Sequence, residues 1–221
     1  MKWVHPEIDR VFDTESRMAQ TLVVENRPFY AGLLSDIHQQ MSGFSGKSIL
    51  SQNDTPVDIS KNADILEQYI PFDINRKTLL TKMISALEKI AVSPERTLQT
   101  GHILQQVQDY LDGLAFEFPC DIIFPKLSIG GIIKSAGAEL REDYPSISEA
   151  VIDYMELVRT FDRDRLFFTV NMRSFVADEE MTQFMSTFLS HNYHVIMLEC
   201  HAYTLLPLES RTIIDEDLCE I

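Results

Sequence analysis

The sequence predicts an α/β protein: a head built on a mostly parallel sheet, with an all-helical lobe inserted into it. Three observations carry this reading. Residues 166–170 and 195–198 are short, continuous apolar runs, the pattern of strands covered on both faces in a parallel sheet. Between them Asp178 opens a helical pattern with apolar residues at Met181, Phe184, Met185 and Phe188, which supplies the crossover two parallel strands require. Charge is also unevenly divided: the chain carries −15, yet residues 72–142 hold eight Lys/Arg against nine Asp/Glu. Five of the eight lysines fall in that segment. The head is therefore expected over residues 1–71 and 143–221 and the helical lobe over residues 72–142.

In chain order, residues 21–25 read as a strand, and Pro28 suits the first turn of a helix that buries Phe29, Leu33, Leu34 and Ile37. A polar stretch, 42–48, leads to the strand-like Ile49 and Leu50 and a turn at 52–55. Residues 63–70 look helical or mixed, and Pro71 interrupts them. A strongly amphipathic helix is expected from 72 to 91, capped by Asp73, with Leu79, Leu80, Met83, Ile84, Leu87 and Ile90 on one face. Thr78, Lys82, Ser85 and Lys89 share the opposite face, with no acid among them.

Pro94 opens a second lobe helix, in which Leu104, Val107, Leu111 and Leu114 recur at the spacing of a helix-on-helix seam. Residues 116–125, bracketed by prolines, form a break. A short helix then runs over 127–136, with Gly137 at its left-handed end. Ser146 and Glu149 form a capping box opening a helix that buries Ile147, Val151, Tyr154, Met155 and Val158. The tail carries two apolar pairs and an acidic cluster at Asp215, Glu216 and Asp217.

Several function classes fall away. No apolar run approaches the ~20 residues that cross a bilayer, and the start lacks a signal-peptide core. Three unpaired cysteines suit a reducing compartment, so the expected location is the cytoplasm, with no membrane partner. Gly46-Lys47-Ser48 imitates a phosphate loop, but Met41 stands where the loop needs glycine and no strand precedes it. His191, His194, Cys200 and His201 have zinc-ligand chemistry. A strand between the two groups would part them by roughly 20 Å, too far for one ion.

Asn171, Glu199 and His201 follow the two apolar runs, where open parallel sheets bind ligands. That keeps a nucleotide-dependent enzyme as one alternative, without a Gly-rich turn after Val24 to support it. The Lys82/Lys89 stripe is the most informative feature, because ammonium groups on a helix face engage phosphates without reading sequence. A pure protein scaffold is the third reading.

The order of these pieces resembles the Csn-two family, accessory proteins of spacer acquisition in type II-A CRISPR systems. The likeness rests on residues 22–25, 71–75, 133–137, 166–171, 178–180, 195–199 and 214–217. It implies a RecA/ABC ATPase-like core without nucleotide motifs, a helical leg, and no enzymatic activity. It also implies a homotetrameric ring that encloses double-stranded DNA and loads from free ends, with the CRISPR integrase complex and the effector nuclease as partners. On that reading Lys82, Lys89, Lys126 and Lys134 contact phosphates, with Lys77, Arg76 and Arg141 as lesser contributors. The family's Ca2+ would fall to Glu117 and Asp121, helped by Asp112, Glu139, backbone carbonyls or a neighbouring subunit, since calcium takes six to eight oxygens.

Overall fold

Continuous apolar character marks the strands that end up at the centre. The computed structural model describes every residue except Arg163 and divides into two units, residues Met1–Asp73 with Asp143–Ile221, and residues Ile74–Glu142. The first unit begins with β1 (Lys2–Val4), β2 (Phe12–Asp13), β3 (Ala19–Val24) and α1 (Arg27–Met41). Then come β4 (Ile49–Gln52), β5 (Thr55–Val57), α2 (Ile59–Asn62) and β6 (Ala63–Leu66). The inserted unit holds α3 (Lys77–Ala91), α4 (Thr97–Phe116) and α5 (Ile129–Ser135). The chain returns through α6 (Ile147–Phe161), β7 (Leu166–Val170), a 3-10 turn at Met172–Ser174, α7 (Asp178–Ser190), β8 (His194–Glu199) and β9 (Glu209–Ile214).

Five of these strands form a wholly parallel sheet in the order β6-β7-β8-β3-β9. The β7–α7–β8 unit has the form expected from sequence, with Leu166 opposite His194 and Val170 opposite Leu198. One sheet face packs Leu22, Phe168, Ile196 and Leu198 against Leu33 and Ile37 of α1 and against Trp3 and Phe12. Trp3 meets Phe168 edge-on at 5.5 Å between ring centroids. The other face carries α6 and α7, where Tyr154 stands edge-on to Phe167. The capping box forms in part: the Ser146 hydroxyl accepts the Glu149 amide at 3.3 Å.

Three expectations need correction, and one sheet is unannounced in the sequence. Residues 63–70 are not helical; Ala63–Leu66 pairs in parallel with β7 because the sheet offers it an edge. Lys2–Val4, Phe12–Asp13, Ile49–Gln52 and Thr55–Val57 form a second, antiparallel sheet, β2-β1-β4-β5, whose strands are too short to show a period. Its β4–β5 turn places Asn53 and Asp54 at positive φ, a conformation Asn and Asp tolerate. The first lobe helix starts at Lys77 with Arg76 at its cap position, so Asp73 does not cap it. Pro94 lies in a turn and α4 starts at Thr97, where the Thr100 hydroxyl donates to the Ala91 carbonyl of α3 at 2.7 Å. Of the expected seam, Leu114 is exposed and Leu104, Val107 and Leu111 are half-buried.

Candidate nucleic-acid interface

Within the inserted unit the apolar face of α3 packs on α5, burying Leu79 and half-burying Leu80, Met83 and Ile84. Gly130 of α5 lies against the Glu88 side chain, whose carboxylate a Cβ there would displace. Asn75 closes the neck of the insertion: its Oδ1 accepts the Leu140 amide at 2.7 Å and its Nδ2 donates to the Leu140 carbonyl at 3.0 Å. This scaffold carries eight Lys/Arg and eight Asp/Glu, so its formal charge is zero and the first unit holds the whole −15.

The cations differ between the units in how they are used. Each of the three lysines of the first unit is paired: Lys2 with Asp54 at 2.7 Å, Lys47 with Glu7 at 2.6 Å, and Lys61 with Asp58 at 3.8 Å. In the inserted unit Lys77 and Lys89 on α3, Lys126 in the loop after α4 and Lys134 on α5 are exposed and form no ion pair among the described residues. Lys82 is half-buried on α3, seven residues before Lys89 and so on the same side of the helix. Arg76 stands at the cap position of α3, and Arg141 follows α5. Arg96, at the cap position of α4, is not among the residues the resemblance singles out; a simple charge count of the segment finds it.

The acids are dispersed. Asp112 lies on α4 and accepts Gln108 Nε2 at 2.8 Å, Glu117 ends that helix, Asp121 lies in the following loop and Glu139 follows α5. Among the described residues no three His, Cys, Asp or Glu side chains stand close enough to hold a metal. Within one chain these four carboxylates do not fit a calcium ion.

Neither nucleotide-like feature is open. Asp36 of α1 fills the Gly46-Lys47-Ser48 loop, its carboxylate accepting Lys47 N at 2.8 Å, Ser48 N at 3.1 Å and Ser48 Oγ at 3.0 Å. The donors a phosphate would need are thus taken by the protein's own acid. After β3, Asn26 caps α1 by accepting the Phe29 amide at 3.0 Å. Tyr30 donates to the Leu198 carbonyl and to Asn171 Oδ1, each at 3.1 Å, and that same oxygen accepts the Cys200 amide at 2.9 Å.

Asn171 adopts a left-handed φ of 52° to make this turn. Burial pushes the Glu199 carboxyl up to about 7 and the Tyr30 phenol upward. His201 is exposed. Strand β8 separates His191 and His194 from Cys200 and His201, and His194 Nδ1 is matched to the Thr14 hydroxyl at 2.8 Å. The sequence gives no local sign of the residues that organise this edge, Tyr30, Arg173 and Glu209.

These features define an α/β protein whose parallel-sheet core has its nucleotide-like loop closed by its own side chains, and whose inserted unit concentrates exposed lysines. A family model described as CRISPR-associated protein (Cas_Csn2) matches residues 40–218, most of the chain. The protein belongs to this family, whose members are accessory factors of CRISPR adaptation. Among solved structures it is similar to the crystal structure of Stu0660 of Streptococcus thermophilus, at 13% identity and a TM-score of 0.53. That match covers 90% of this chain and 68% of the other, and it shows a shared fold. No curated protein sequence matches.

Proposed function

We propose that the protein is a non-catalytic clamp on double-stranded DNA that acts during CRISPR spacer acquisition, binding duplex ends without reading sequence. One observation carries this reading: every lysine of the acidic unit is neutralised by a carboxylate, while Lys77, Lys89, Lys126 and Lys134 of the inserted unit are exposed and form no ion pair among the described residues. Lys82, Arg76 and Arg141 lie in the same unit. Lysine gives affinity for the phosphate backbone but no base discrimination. Each phosphate neutralised adds only about 0.9 to the salt slope, so one chain binds weakly and a homotetrameric ring around the duplex multiplies the contacts. Calcium would need oxygens beyond the dispersed carboxylates, from backbone carbonyls or from a second copy. The integrase complex and the effector nuclease are the proposed protein partners.

The test is a mobility shift with linear and closed circular duplex of the same sequence. Wild type should retain linear DNA far better than circles, and Lys82→Glu with Lys89→Glu should abolish retention while light scattering shows the assembly intact. Equal binding by the double variant would remove the α3 stripe from the interface. Failure of wild type to bind linear duplex at low salt would leave a protein scaffold. A smaller assembled mass in chelator than in calcium would support an ion between copies; an unchanged mass would remove calcium from the reading.

A further inference from the structure

Glu199 ends β8 with 1% of its surface exposed. Oε1 accepts the Arg173 amide at 3.2 Å, while Oε2 is buried and has no partner among the described residues. Arg173, 6% exposed, belongs to the 3-10 turn after β7 and ties two elements together. Its Nη2 bonds Asp178 Oδ1, at the start of α7, and the Thr204 carbonyl, at 2.8 and 2.9 Å. Its Nη1 meets Glu209 Oε2 at 3.3 Å. Glu209 is also gripped by Arg211, Nε to Oε1 at 3.0 Å and Nη2 to Oε2 at 2.8 Å, and it accepts the Leu206 amide at 3.0 Å. Arg211 Nη1 reaches the Tyr203 carbonyl at 2.6 Å. Residues 200–208, which link β8 to β9 without helix or strand, are fastened largely through this set.

The charges balance only if Glu199 carries its proton. Arg173 and Arg211 offset Asp178 and Glu209; an ionised Glu199 would be a third carboxylate with no cation of its own. The groups facing it are Tyr30 from α1, Tyr69 from the segment after β6, its neighbour Cys200, and the pair Arg173 and Glu209. Of these only Arg173 is positive, and it is already held by two carboxylates. Stripping water from a carboxylate disfavours its charged form, in keeping with the elevated Glu199 carboxyl.

We propose that Glu199 is a proton-operated latch on residues 200–208: protonated, it leaves Arg173 on Glu209 and the Thr204 carbonyl, and ionised, it draws Arg173 away and releases that connection. The proton leaves to water; no bond other than O–H breaks. Hydrogen exchange of the 200–208 amides, expressed as protection against the intrinsic rate, tests this between about pH 5 and about pH 9. Protection in wild type should fall about tenfold or more through neutrality, the effect of one unit of coupling. Glu199→Gln, which keeps the uncharged shape, should hold high protection throughout. Flat protection in wild type, or the same fall in the variant, would overturn the latch. If the variant does not fold, carboxyl-carbon resonances of wild type decide: a Glu199 midpoint near neutrality supports the latch, and one in the ordinary carboxylate range defeats it.

Discussion

At the scale of single residues, buried carboxylates decide how this protein answers pH. The Glu199 carboxyl is raised in the folded state. Its stabilising contribution is therefore present below the ordinary carboxylate range and lost as pH rises through about 7. A shift of that size corresponds to about 3 kcal/mol at most. Glu180 behaves oppositely: the Ser148 hydroxyl donates to it at 2.6 Å and holds its carboxyl low, so its contribution disappears in acid. Melting temperature should accordingly peak in weak acid and fall toward pH about 8, and Glu199→Gln should flatten the alkaline fall. An unchanged alkaline slope in that variant would mean Glu199 is ionised at neutrality without cost.

Asp36 gives a second residue-scale test. Asp36→Ala leaves the buried Ser48 without its acceptor, and denaturant unfolding should show a loss of about 1–3 kcal/mol. Calorimetry on the same variant should detect no ATP binding. Appearance of tight nucleotide binding would show that the loop is an inhibited phosphate site and not a polar turn.

At the scale of elements, α4 is the outlier. Leu98 is 87% exposed and Phe116 92%, with Tyr110, Ile103 and Leu114 also in solvent. In the proposed assembly a second copy would cover these side chains. Under the proposed assembly, Leu98→Ser with Phe116→Ser should lower the mass seen by light scattering while leaving the melting temperature of the single chain nearly unchanged. A reduced melting temperature at unaltered mass would place these side chains in intramolecular packing instead. By contrast α6 is anchored from its first residue, and Ser146→Ala should cost about 1 kcal/mol in denaturant unfolding through loss of the cap.

For the whole molecule, the division of charge sets the electrostatics of the proposed function. An acidic unit of −15 repels a polyanion, and a neutral one with exposed lysines tolerates it. Duplex affinity should therefore fall linearly in log salt, and the Lys82→Glu, Lys89→Glu variant should show a slope shallower by about two for each copy engaged. A slope unaffected by that change would place the contacts elsewhere.

The sequence by itself determined the α/β class, the β7–α7–β8 crossover and the capped start of α6. Each is written in residues a few positions apart, where apolar period and cap chemistry act locally. The strand character of 63–66 was not legible, because four residues with one charge have no period and pair only where a sheet edge receives them. The short antiparallel sheet is hidden for the same reason. Only the tertiary structure decided that Asp36 occupies the glycine loop and that Arg173 joins Glu199 to Glu209. Those outcomes depend on groups ten to forty residues apart meeting in a medium that no longer screens them, and neither composition nor spacing records which groups meet.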